Sequence, residues 1–434
     1  MPGNRLSVWT WRLCYNAGMR FPDLVYGLVF LAGFPLWIAR CLRREQRRHL
    51  RSRFSPGPLP PATRRIWIHA VSVGEVRAVA DLARRAGAAF SLPVVLTVTT
   101  LSGYRQARKV LKDIPVIPAP LDFSFVIKRY LKHLAPGLLL LNELEVWPNW
   151  TRLLKERGIP MIVANARMSD DAFRRYQRFR RLLAPSFRRP DAWLVQSAAY
   201  APRLIELGVP ADRIRICGNI KADQALAAAG DVPDRETVLA HLHAREPRRP
   251  LVVLASTHEE DEKVLLPALA TLETPPAVII APRHPKRTPA ICRNLERLNM
   301  PFSVWSHASA VDLDRGVLVY DRIGYLTALM SVADGVFMGG TFSPRTGGHN
   351  LYEPAALAKS LWGGPHFNNF PEVGKALVEA GAYQVLPDTA AAAAALAGCG
   401  KEDGGPGERA RMVVESRRGT TDHILEEMRR WLRS

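Results

Sequence analysis

The sequence predicts an α/β protein with two doubly wound, parallel-sheet domains behind an apolar, arginine-flanked N-terminal segment. Three observations predict it. Short apolar runs alternate with helix-like stretches along most of the chain, the pattern of βαβ units and hence of parallel sheets. The runs fall into two series separated by a looser Ala/Pro-rich stretch, Gln224–Pro250. The 434 residues are 47% hydrophobic and 23% charged, more apolar than a disordered chain and long enough for two or three cores.

Taken in order, the first element is Leu24–Ala39, LVYGLVFLAGFPLWIA, sixteen residues without a charge. A spanning helix needs ~20. Trp9, Trp11 and Trp37 bracket the run, as rings do at a membrane interface, and Arg40, Arg43, Arg44, Arg47, Arg48, Arg51 and Arg53 follow it. A signal peptide would carry its positive charge before the apolar run and a small-residue cleavage site after it. A buried hairpin is the plainer alternative. Residues 1–54 are therefore expected to form a monotopic or single-pass anchor, its arginines facing anionic lipid.

The first strand series is Ile66–Val71, Val94–Thr99, Gly137–Leu141, Met161–Ala164, Trp193–Val195 and Ile214–Cys217, with helices such as Glu75–Ala86 and Trp150–Glu156 between them. Residues 55–223 are expected as one domain. Within it, Phe173–Arg189 is strongly basic, with Arg174, Arg178 and Arg181 spaced for one helix face. Such a run is either a solvated face or a docking surface for phosphates or lipid headgroups. The second series is Leu251–Ala255, Ala277–Ala281, Val317–Tyr320, Gly335–Met338 and Ser360–Trp362, in a domain expected over 224–407. The run Ala390–Ala395 reads as helix, and 408–434 as a C-terminal helical segment, amphipathic over Glu408–Leu432.

The formal charge is +20, which calls for an anionic partner: nucleic acid, an anionic membrane or a phosphorylated substrate. The 5 cysteines are scattered without a C-x-x-C pair, which argues against a disulfide framework or a zinc site. Neither a Walker G-x-x-x-x-G-K-[ST] nor a G-x-G-x-x-G occurs.

Polar clusters fall just after predicted strands, where ligands of doubly wound sheets bind. In IWIHAVSVGEVRA, Gly74-Glu75 sits at a strand-to-helix turn beside Ser72. A carboxylate there either complements the helix dipole or acts as a general base on an acceptor hydroxyl. In LLLLNELEVWPNW, Glu143 and Glu145 point the same way if the strand runs on through them. Buried carboxylates of this kind need partners, such as Arg77 or Arg167. The second domain contributes GNIKAD, LASTHEEDEK, APRHPKR and GGTFSPRTGGHNLYEPAA. Thr257 and Glu260 have capping-box spacing, predicting a helix start able to receive an anion. Lys221 and Arg283 can add charge to the same phosphate. Gly339, Gly340, Gly347 and Gly348 allow close backbone approach, and Glu353 can accept hydrogen bonds from a ribose. Together they predict a phosphate- and ribose-binding cleft.

In this order the blocks HAVSVGE, VTTLSG, PLD, NELEVWPN, NARMS, VQS, GNIKAD, STHEEDE, PRHPKR, GGHNLYEPA and GPHFNNF resemble those of the Kdo transferases. These enzymes move 3-deoxy-D-manno-octulosonic acid (Kdo) from CMP-Kdo to a lipid A precursor. The resemblance runs from the N-terminal segment to the region of Pro371. It implies a GT-B fold, two Rossmann-like domains facing a cleft, acceptor side first and nucleotide side second. It further implies an inverting, metal-independent transfer with no cofactor, at the cytoplasmic face of the bacterial inner membrane, beside anionic lipids and without nucleic acid. Glu75 aligns with the family's catalytic base, with Ser72, Gly74, Glu143 and Glu145 on the acceptor side. Asn219, Lys221, Ser256, Thr257, Arg283, His284, Gly340, Gly347, Gly348, His349, Asn350 and Glu353 fall on the nucleotide side, Glu353 toward the ribose.

The chain departs from the family pattern at a longer Thr341–Thr346 loop, at Tyr325 in an acidic position, at Asn142 in an apolar one, and in a short, proline-rich segment before His69. Asp312-Leu313-Asp314 mimics the D-x-D metal motif of other glycosyltransferases but precedes a strand, at the wrong end of the sheet. Another GT-B enzyme on a UDP-sugar, whether transferase or epimerase, is the nearest alternative. A basic nucleic-acid-binding protein is a second, although it would interleave aromatics with its basic patch. An inactive scaffold is a third, which retention of Glu75, Lys221 and Arg283 opposes.

Overall fold

The computed structural model describes residues 44–61, 64–400 and 405–432. The apolar run Leu24–Ala39 and its bracketing tryptophans lie outside the described residues. No described helix is long and apolar enough to cross a membrane.

The chain divides into two compact units, one of residues up to Ile220 together with Gly419 onward, the other Lys221–Arg418. In the first, β1 (Arg65–Ala70), β2 (Val94–Val98), β3 (Val116–Pro118), β4 (Pro136–Asn142), β5 (Met161–Ala166), β6 (Ala192–Val195) and β7 (Ile214–Ile216) form one sheet in the order β3-β2-β1-β4-β5-β6-β7. All its pairings are parallel. The second unit holds β8 (Leu251–Thr257), β9 (Ala277–Pro282), β10 (Phe302–Val304), β11 (Val317–Val319), β12 (Gly335–Met338), β13 (Ser360–Gly363) and β14 (Tyr383–Val385), ordered β10-β11-β9-β8-β12-β13-β14. These pairings are parallel too.

Parallel strands are covered on both faces, so both side-chain sets must be apolar. Along β1, Ile66, Ile68 and Ala70 enter one core with Leu138 and Leu140 of β4, while Trp67 enters the other with Leu139 and Leu141. Strands β8 and β9 split in the same way. Each sheet therefore has a switch point where strand order reverses, between β1 and β4 in the first unit and between β8 and β12 in the second. Doubly wound sheets open a crevice there, at the carboxyl ends of the strands.

Several expectations change. β3, β10 and β14 had no counterpart among the expected strands. Each has three residues and lies at a sheet edge, where little burial leaves little periodicity. The loose stretch after Gln224 is largely helical, Ile220–Gly230 and Arg235–His241, and packs Ala222, Ala225, Val238 and Leu239 into the second core. The unit boundary falls before Lys221 instead of at 224. The segment 408–434 is not one body. Helix Gly405–Glu415 puts Ala410 and Val414 into the second unit, and helix Thr420–Leu432 puts Ile424, Leu425, Met428 and Leu432 into the first. The basic run Phe173–Arg189 breaks at Phe179 into helices Asp170–Arg178 and Arg180–Arg188, so Arg181 does not continue the face of Arg174 and Arg178. Arg53 is built into the first unit, its Nε donating to Ala119 O at 2.9 Å, and does not extend the lipid-facing set.

Candidate active site

In the first unit the polar residues gather at the β1/β4 switch point. Ser72 ends the turn after β1 in extended backbone and caps helix Val73–Phe90, accepting from Glu75 N–H. Glu75, in the first turn, turns its carboxylate back toward the start of the helix. Its Oε1 accepts from Ser72 Oγ at 3.0 Å and its Oε2 from Val71 N–H at 3.1 Å. Its place in the first turn suits the helix dipole as well. A third donor comes from outside the helix: Asn142 Nδ2, at the end of β4, reaches Oε2 at 3.3 Å. Burial, then the charge of Glu143, push the Glu75 carboxyl above the ordinary range, against the pull of these donors.

Glu143 and Glu145 do not alternate on a strand. β4 stops at Asn142, and Glu143 adopts left-handed backbone with φ 60°, a conformation a non-glycine residue holds at a cost of order 1 kcal/mol. Its carboxylate faces Arg167 at 3.9 Å, one of the two partners anticipated; Arg77 is exposed. Glu145 is pushed up to about 7, first by burial and further by Glu75 and Glu143, against the hydrogen bond from Trp147 Nε1 at 2.8 Å and the charge of Arg53. Three carboxylates thus share one end of the sheet, with Arg167 and Arg53 as their cations. Two of them are shifted toward the pH range where a carboxyl exchanges protons readily. Gly74 is exposed in the first turn of the helix. Asp122, of the PLD block, accepts from Asn149 N–H at 3.1 Å and Trp150 N–H at 2.9 Å. It thereby fixes the helix that follows Glu145.

Asn219 also belongs to this unit. Its Nδ2 donates to Gln196 Oε1 at 3.0 Å, and Gln196 Nε2 donates to Asn165 O at 3.0 Å.

In the second unit, residues converge on the β8/β12 switch point. Ser256 is a left-handed residue, φ 55°, at a register shift near the end of β8. Thr257 is wholly buried, and its hydroxyl donates to Glu262 at 3.4 Å. The cap of helix Glu259–Ala270 is His258, one residue later than the Thr257/Glu260 spacing indicated, and its N–H donates to Asp261 Oδ2 at 2.8 Å. The same oxygen receives Gly340 N–H at 2.7 Å, and Oδ1 receives Phe342 N–H at 3.3 Å. Asp261 is the residue the sequence reading missed: it ties the β8 turn to the β12 loop, and only its position three residues into a helix hinted at it. Gly339 follows β12 so tightly that a Cβ there would lie 2.4 Å from Ser256 O.

His349 Nε2 lies 2.8 Å from His258 Nε2, the two rings stacked, with His284 edge-on to His258. Burial, then Arg283, hold His349 down to about 4, and burial, then His284, lower His258. One of the two ring nitrogens donates in that hydrogen bond and the other accepts. Arg283 is exposed after β9. The loop Gly347–Asn350 folds back, Gly348 N–H donating to Gly340 O at 2.9 Å, and Asn350 Nδ2 holds Glu353 at 2.9 Å. Lys221 Nζ lies 4.8 Å over the Phe370 ring. Asp312 pairs with Arg315, and Asp314 accepts from Arg248 N–H and pairs with Arg249, both before β11 and away from these strand ends. Among the described residues no group of three or more His, Cys, Asp or Glu is placed to hold a metal ion.

A family model described as 3-Deoxy-D-manno-octulosonic-acid transferase (kdotransferase) matches residues 45–224. The chain is 32% identical over 327 residues to the 3-deoxy-D-manno-octulosonic acid transferase of Chlamydia pneumoniae, covering 74% of each. It is 30% identical over 396 residues to that of Bordetella pertussis, covering 87% of this chain and 89% of that protein. Among solved structures, UDP-GlcNAc 2-epimerase from Neisseria meningitidis bound to UDP-GlcNAc aligns with a TM-score of 0.60 at 13% identity, covering 85% of this chain and all of that one. That likeness is one of fold, of the GT-B kind.

Proposed function

This chain belongs to the 3-deoxy-D-manno-octulosonic acid transferase family, and from that premise we propose that it transfers Kdo from CMP-Kdo to a hydroxyl of a lipid A precursor in lipopolysaccharide synthesis. The observation that carries the catalytic part is Glu75: a buried carboxylate at the β1/β4 switch point, oriented by three donors, with its proton affinity raised by burial and by Glu143. As general base it takes the proton of the acceptor hydroxyl. The hydroxyl oxygen bonds to the anomeric carbon of Kdo, the bond from that carbon to the phosphate oxygen breaks, and CMP leaves with the electron pair. Attack opposite the leaving group inverts the anomeric centre.

The second unit's role is to hold the leaving CMP. Arg283 and Lys221 supply positive charge, the first turn of helix Glu259–Ala270 supplies backbone N–H groups, and Glu353 accepts from the ribose. A monophosphate leaving group stabilised this way needs no divalent ion.

We place the enzyme at the cytoplasmic face of the inner membrane. Support comes from the apolar, arginine-flanked N-terminus and from the paired helices Asp170–Arg178 and Arg180–Arg188, where Phe179 is 61% and Leu182 51% exposed among Arg174, Arg175, Arg178, Arg180 and Arg181. Each arginine at an anionic bilayer contributes about 1 kcal/mol, and the two apolar side chains can enter the interface. The test of the reaction is donor choice. Membranes bearing the protein, given a tetraacyl lipid A precursor, yield a product heavier by Kdo from CMP-Kdo; product from UDP-sugars and none from CMP-Kdo refutes the proposal.

A further inference from the structure

Asn142 is apolar by position and polar by nature. It closes β4, a strand of leucines, and is 1% exposed. A buried amide at the end of such a strand is unfavourable unless it is hydrogen-bonded, and its side-chain nitrogen is spent on Glu75 at 3.3 Å. The bonding around that carboxylate is uneven. Oε2 has two donors, Val71 N–H and Asn142 Nδ2, whereas Oε1 has Ser72 Oγ.

We infer that Asn142 is a positioning residue for the Glu75 base, its amide pinning Oε2 and leaving Oε1 as the oxygen that receives the acceptor's proton. This rests on the reaction proposed above. The proton passes from the acceptor hydroxyl to Oε1 as the new C–O bond forms and the bond to the CMP phosphate breaks. Asn142 gains and loses nothing in the step. It holds the plane of the carboxylate, and because an N–H donor favours the ionised form, it keeps Glu75 deprotonated to lower pH than burial alone allows. The charges acting on Glu75 from the surrounding elements are the carboxylates of Glu143 and Glu145 after β4, with Arg167 after β5 paired to Glu143 and Arg53 acting on Glu145. The two carboxylates push toward protonation, so the neutral donor of Asn142 opposes them without adding charge.

The test is the pH profile of kcat for N142L, which keeps the volume and removes the donor. The acid limb moves up by about one pH unit, so kcat on the acid side falls about tenfold. On the alkaline plateau kcat falls less than on the acid side, by the loss of one of the three donors that orient the carboxylate, and KM for both substrates stays within about twofold, because the buried amide does not touch them. N142M, of similar volume and also without a donor, carries the test if leucine does not fold; it moves the limb in the same direction. An unmoved limb, or a kcat lowered equally at every pH, overturns the assignment. In that case E75A remains inactive and the base stands. A wild-type protein that does not use CMP-Kdo overturns the reaction itself and this role with it.

Discussion

Replacing Asp261 should loosen the whole nucleotide side of the second unit. Its carboxylate receives three backbone N–H groups, from His258 at 2.8 Å, Gly340 at 2.7 Å and Phe342 at 3.3 Å, and it is fully buried. Each such bond to a charged acceptor contributes about 1.5–3 kcal/mol, partly offset by the cost of burying the charge. In D261A three backbone donors lose their acceptor, Gly340 N–H fully buried and the other two partly, for a net loss of about 3–5 kcal/mol. For a unit of roughly 200 residues that lowers Tm by on the order of 10 °C. D261N discriminates further. Its single carbonyl oxygen can keep the two short bonds at the Oδ2 position, but its amide then faces the Phe342 N–H donor to donor, a loss of about 1–2 kcal/mol. Calorimetry of the second unit's transition, with CMP titrated into each variant, reads both numbers. The order is wild type above D261N above D261A, with CMP affinity falling in step. A D261A protein that melts and binds CMP like wild type refutes the reading of Asp261 as the tie between the β8 and β12 loops.

G339A drives a Cβ to 2.4 Å from the backbone oxygen of Ser256; CMP binding measured by calorimetry should weaken at least tenfold, and unchanged affinity counts against β12 as part of the site. Glu145 has a folded pKa of about 7, above its unfolded value, so its ionised form is penalised in the fold. The penalty is absent below about pH 4.5, grows as pH rises toward 7 and is complete above it. E145Q should therefore melt higher than wild type at pH 8, by roughly 1–2 kcal/mol after discounting for solvent, with the gain gone at pH 4; a gain equal at both pH values contradicts this. Truncation after Arg418 removes Ile424, Leu425, Met428 and Leu432 from the first core. It should lower the first unit's melting transition by several degrees and leave the second unit's in place, as separated calorimetric transitions show.

What was legible in the sequence follows burial. Strands with two covered faces, such as β1, β4, β8 and β9, are apolar runs and mark themselves. The edge strands β3, β10 and β14 do not, because three partly covered residues carry no period. Motif order pointed to both switch points, since glycines and polar residues must replace apolar ones where the backbone leaves a strand. The interactions that set the chemistry are tertiary and left no local pattern. Asn142 looked like a departure from the family until Glu75 was seen 67 positions earlier in the chain at hydrogen-bond distance. Asp261 looked like one more acid in an acidic helix start, and Arg53 like one more arginine in a basic cluster. Glu143 was read as strand because nothing in its neighbours announces a left-handed residue.

The central claim is that Glu75 is the base of a Kdo transfer. It is tested most directly by the single-turnover rate of Kdo transfer from CMP-Kdo to the lipid A precursor, for wild type, E75A and E75Q, with melting temperatures measured alongside. General-base assistance is worth about 10²–10⁴-fold, and both variants should lose that much while CMP binding in the second unit stays intact. E75Q should also keep most of its stability, since glutamine can still accept at the helix start. Turnover by E75Q at the wild-type rate contradicts the account.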